Sequence, residues 1–126
     1  MKVFFLIVLL VLFPVSVKAY DGSNVLQLVN NYRSDRGLSV LRTSSLTCRI
    51  ASIRSKEIIK AWKHDIWGRF YGYNVLGENL SKGFSQAEDI LTAWDRSPSH
   101  NANLNGKYIF GCVVCVGNYC ALEMIR

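Results

Sequence analysis

Three kinds of apolar pattern divide the chain. Val25, Leu28, Val29 and Tyr32 fall three and four residues apart, predicting a first helix capped by Ser23 and stopped by Gly37 in a left-handed conformation. A second helix is expected from about Ser45 to Trp62, with Leu46, Ile50, Ile53, Ile58 and Ala61 inward. Trp67 to Tyr73 is aromatic and punctuated by glycine, a loop leading into a strand near Asn74-Val75-Leu76. Ser85-Gln86-Ala87-Glu88 has the spacing of a capping box for a third helix striped by Ala87, Ile90, Leu91 and Trp94. Ser97-Pro98 can cap and start a further short turn. The pattern then becomes β-branched: Phe110–Val116 and Tyr119–Ile125 read as strands joined by the two-residue turn Gly117-Asn118. Helices and strands mix without regular alternation, so an α+β fold with an antiparallel sheet between helical layers is expected.

The opening residues belong to a different pattern. Met1-Lys2 is positive, Val3 to Val15 is almost wholly apolar, and Val17-Lys18-Ala19 gives a cleavage spacing. Residues 1–19 therefore read as a secretory signal peptide, since an apolar run this short falls below the roughly 20 residues of a membrane span. Cleavage after Ala19 takes 19 of the 126 residues and leaves a single domain over 20–126, expected to be secreted, monomeric and without a transmembrane segment. The chain's +6 formal charge drops to +4 once Lys2 and Lys18 leave with the leader. Much of the remainder lies on the second helix, which reads as a solvated face weakly attracted to anionic surfaces. Nucleic-acid binding would require a continuous basic patch interleaved with aromatics.

All four cysteines lie beyond the leader, and an even count in a secreted domain argues for two disulfides. The predicted turn sets Cys115 opposite Cys120. Strand alternation points Cys112 to the other face, free to reach Cys48 on a packed helix. The expected bridges are Cys48–Cys112 and Cys115–Cys120. Cys112-Val113-Val114-Cys115 has redox-motif spacing but sits in a β-branched run rather than at a helix start. A zinc-knuckle reading of Cys112, Cys115 and Cys120 lacks its histidine.

The densest polar strings are Gly77-Glu78-Asn79-Leu80 and Ala93-Trp94-Asp95-Arg96-Ser97-Pro98-Ser99-His100-Asn101-Ala102-Asn103-Leu104, with His64 standing before them. Asn30 and Arg33 followed by Gly37-Leu38 and Leu41 add a further string. Together they resemble the CAP superfamily of cysteine-rich secretory, antigen 5 and pathogenesis-related 1 proteins, whose domain is also called SCP, and most of all its short bacterial-type members. The resemblance covers nearly all of the chain after the leader and implies a three-layer α-β-α sandwich.

It also implies a ligand groove lined by His64, Glu78, Asn79 and His100. Spacing alone does not separate His64 in a site from His64 as a helix-end cation, nor His100 in a site from a hydrogen-bonded helix-start residue. Glu78 is either exposed or held in a network, because burying it alone is expensive. Asn79-Leu80-Ser81 is a formal glycosylation sequon, but the family places this Asn in a buried motif, so it is expected unmodified. Glu88 is explained by its capping box and Trp94 by the core. Many family members carry two His and two Glu. Here Ser97 occupies the place of the second Glu, and Asn118-Tyr119-Cys120 lacks the second His.

The functional expectation is an extracellular binding module for a lipid, a cell-wall component or a partner protein, requiring no cofactor. A hydrolase using Glu78, His64 and His100 is the alternative, with His64 and His100 as candidate ligands of a divalent metal such as zinc. A disulfide-stapled effector or toxin is the third reading.

Overall fold

The structure, a computed structural model, describes residues 21–64 and 75–126. The expected leader and the Trp67–Tyr73 loop lie outside these residues. Four helices, α1 (Gly22–Asp35), α2 (Ser45–Lys60), α3 (Ala87–Arg96) and α4 (Pro98–Leu104), accompany three strands. The strands β1 (Val75–Lys82), β2 (Phe110–Val116) and β3 (Tyr119–Ile125) form an antiparallel sheet in the order β1-β3-β2.

One sheet face and helices α1, α3 and α4 enclose the main core, where Val25, Val29, Ile90, Trp94, Leu104, Leu122 and Met124 are essentially inaccessible. The other face meets α2 through a much smaller apolar cluster of Ile58, Leu80 and Ala121. This is an α+β fold with helices on both faces of the sheet.

Local chemistry sets the element ends. Gly37 takes φ +70° and closes α1, with Gly37 N donating to Ser34 O and Leu38 N to Arg33 O. The cap at the start of α1 is Asp21, whose carboxylate accepts from Ser23 N, rather than Ser23 itself. Ser44 and Thr47 form a reciprocal capping box on α2. The box expected at Ser85 and Glu88 does not form. Helix α3 begins one residue later, with Gln86 at its cap, which puts Glu88 out of register for the reach-back bond. Glu88 and Asp89 instead occupy the first turn, where the helix dipole favours negative charge.

The hairpin register is as read from the sequence: Val116 pairs with Tyr119 and Cys115 with Cys120. Both expected bridges are present. Cys48–Cys112 ties α2 to β2 across 64 residues, and Cys115–Cys120 spans the hairpin. Strand β1 runs further than expected and carries Glu78 and Asn79 within it rather than after it. Its outer edge is tied by side chains, since Asn103 donates to Glu78 O and the Trp94 indole to Leu80 O. Those bonds let polar residues continue a strand at a sheet edge. Gly77 is required here, because a Cβ would come within 2.6 Å of the Tyr108 hydroxyl.

Helix α2 departs most from its apolar reading. Ile50 and Ile58 are buried, but Ala61 is exposed and lies beyond the helix, while Leu46 and Ile53 are half-buried. Thr47, Arg54 and Ser55 take buried places instead.

Candidate functional site

Glu78 and Glu123 are direct cross-strand partners, so both project from the sheet toward α2. Arg54 occupies the middle of the inward stripe, four residues from Ile50 and four from Ile58, and meets them. Its Nε donates to Glu78 Oε2 at 2.6 Å and its Nη2 to Glu78 Oε1 at 3.2 Å. Nη1 binds Glu57 Oε2 and Nη2 also binds Lys63 O, each at 2.6 Å. The Arg54 side chain is only 4% exposed, and the paired, charge-assisted contacts offset its desolvation.

The bond from Arg54 to Lys63 O fixes the segment after α2 and presents the next residue. His64 Nδ1 lies 2.9 Å from Glu78 Oε1, with the imidazole 55% exposed. Burial acts to raise the Glu78 pKa, but hydrogen bonds from Glu123, Arg54 and His64 outweigh it and bring the value down to about 2. Glu123, 1% exposed, is one of the groups whose hydrogen bond lowers the Glu78 pKa.

His100 arrives from the opposite helical layer. Its ring centroid is 6.2 Å from that of His64, and burial together with the His64 charge lowers its pKa. Strand β1 is an edge strand, so α4 can bring His100 around it. Asn79 makes this possible without lining the groove. It is fully buried, donates to His100 O at 3.2 Å and accepts from Asn103 at 2.9 Å. Alternation along β1 turns Asn79, expected at the ligand, toward α4 while Glu78 faces α2.

His64, Glu78 and His100 thus converge from the end of a helix, a strand and a Ser-Pro corner. Arg54, Glu57 and Glu123 were not anticipated. Their signal was a charge at an apolar position: Arg54 between Ile50 and Ile58, and Glu123 within Ala121-Leu122-Glu123-Met124.

The metal reading fits poorly. Among the described residues no three His, Cys, Asp or Glu side chains are disposed to hold one ion. Both Glu78 oxygens already accept from Arg54. Two imidazoles alone fall short of the three protein ligands usual at catalytic zinc.

No family model matches the sequence. YkwD of Bacillus subtilis is 28% identical over 103 residues, 72% of this chain and 40% of that protein. An extracellular SCP-domain protein from Bacillus anthracis superposes with a TM-score of 0.71 at 21% identity, covering 82% of this chain and 39% of that one. A cysteine-rich secretory protein from Staphylococcus aureus gives 0.71 at 19% identity, over 82% of this chain and 37% of that one. An outer surface protein of Borrelia burgdorferi gives 0.65 at 18% identity, covering 86% and 98%. The chain therefore spans about 40% of the length of YkwD and of the first two structures. The arrangement of α1–α4 about β1-β3-β2 is the fold of the SCP-domain protein from B. anthracis.

Proposed function

We propose that this chain is a secreted SCP-domain binding module, taking a lipid, cell-wall component or partner protein at the groove walled by His64 and His100. The observation that carries this reading is the engagement of Glu78. A carboxylate with a pKa near 2, already accepting from Arg54, His64 and Glu123, is a poor base for activating water. Nucleophilic chemistry finds no support either, because all four cysteines are bridged and no serine hydrogen-bonds either imidazole among the described residues. What the groove offers a ligand is a pair of adjacent imidazoles backed by a fixed negative charge.

The extracellular and secretory descriptions of the B. anthracis and S. aureus proteins support the location. No helix among the described residues is long and apolar enough to cross a membrane.

Histidine-labelled protein titrated with soluble muropeptides and with short-chain phospholipid is expected to show shifts of the His64 and His100 ring signals with one of them. Hydrolysis of p-nitrophenyl acetate that disappears in His64→Ala would replace this reading with the hydrolase.

A further inference from the structure

Just before His64, the C-terminal end of α2 and the residues after it carry a second surface of different character. Among the described residues Ile59 is 44% exposed and Trp62 45% exposed, two of only four large apolar side chains so open to solvent. Lys56, Lys60, Lys63 and Lys82 are all exposed around them. The lysines come from separate elements, α2, the segment after it and β1, and helix amphipathicity does not account for the Lys82 ammonium over Trp62. A solvated face would also leave Trp62 loose. Instead its ring packs edge-on to Tyr119 with centroids 6.4 Å apart, and the Lys82 ammonium sits 4.6 Å from its centroid. The Arg54 bond to Lys63 O anchors the backbone next to it. The tip thus carries two exposed apolar side chains, Trp62 being held between Tyr119 and Lys82, in a segment with three further exposed lysines. The nearest acid on the helix, Glu57, is turned inward onto Arg54.

We infer that this tip docks the protein onto a lipid bilayer carrying anionic headgroups. The lysines would lie at the phosphate level while Ile59 and Trp62 enter the interface, where an indole is favoured and lysine stems can lie along apolar surface. The apolar pair decides between a bilayer and a soluble polyanion, which offers Ile59 nothing to bury against. The surface adjoins His64 in sequence but is built from other side chains, and its test substitutes neither His64 nor His100.

The test is sedimentation of the full mature chain with vesicles of phosphatidylcholine containing 30% phosphatidylglycerol. Binding is expected at low salt, with none to pure phosphatidylcholine, and it should fall steeply in 0.5 M salt as charges are screened. Each lysine near such a surface contributes about fivefold, so Lys56→Glu with Lys60→Glu should weaken binding at least tenfold. Ile59→Ser with Trp62→Ser should weaken vesicle binding comparably while leaving any retention on soluble polyphosphate unchanged. All four positions are exposed, and thermal unfolding close to that of the parent confirms that each variant is folded. Vesicle binding unaffected by the lysine reversals would overturn the inference. So would an Ile59/Trp62 variant that binds vesicles normally, which would mark the tip as a polyanion site.

Discussion

The two faces of the sheet are held by different physics. Toward α1, α3 and α4 the sheet buries a continuous apolar cluster centred on Trp94, Leu122 and Met124. Toward α2 it buries three small apolar contacts, a disulfide and an ion network of Arg54, Glu57, Glu78 and Glu123. Burial of apolar area is tolerant of direction, whereas ionic hydrogen bonds are not. The first face therefore supplies most of the stability, and the second trades stability for side chains held in fixed positions. His64 belongs to that second face through its bond to Glu78.

Substitutions on the two sides should differ in how they can be rescued. Trp94→Ala removes a side chain that is 1% exposed, together with its bond to Leu80 O, and should cost about 3–5 kcal/mol in chemical denaturation. Arg54→Ala should cost a similar amount because it strands the Glu78 carboxylate. Adding Glu78→Leu to Arg54→Met should recover much of that loss, since an apolar pair can replace a buried ion pair. No second change near Trp94 should do the same. Failure of the Arg54/Glu78 rescue would mean that the ion network is itself a principal source of stability.

The bridges sharpen the contrast at the next level. Replacing Cys48 and Cys112 together with Ala should cost roughly 4 kcal/mol from chain entropy across 64 residues. Replacing Cys115 and Cys120 should cost about 2, since the loop is short and the hairpin turn is well formed. Equal losses would show that the first bridge does not compensate for a thin apolar layer.

The smallest effect is expected in acid. The folded pKa of Glu78 lies below its ordinary 4.5, so its contribution to stability is fully present above that value. It is lost as pH falls toward about 2. Urea midpoints of the parent should drop across this window, and those of Glu78→Gln should drop less. Parallel curves for the two proteins would remove Glu78 from the account of acid stability.

The hairpin and both bridges were legible because strand alternation and a two-residue turn are local rules with few solutions. The helix-start signal at Ser85–Glu88 was equally local and misled by one residue. A capping box competes there with the packing of Ile90 and Trp94, and burial sets where the turn begins. The convergence of His64, Glu78 and His100 was approachable through motif resemblance. Arg54 and Glu123 were not, because a charge in an apolar run has meaning only once its partner's element is placed beside it. Asn79 shows the converse: a polar residue in a conspicuous motif whose work is to hold α4 in place.

The strand order has a consequence for timing. β3 lies between β1 and β2, so β1 has no backbone partner until the chain has passed Ile125. Glu78 likewise lacks Glu123, and the edge bonds from Trp94 and Asn103 arrive before the strand they protect has been paired. Helices α1 and α2 and the β2–β3 hairpin can form from local contacts, but β1 joins the sheet through pairings more than 35 residues apart in sequence, the kind of contact that slows folding. During that interval Cys48 has no strand-borne partner, because Cys112 sits on β2. Oxidation of the reduced chain before the hairpin has closed is therefore expected to give wrong bridges that must later be corrected.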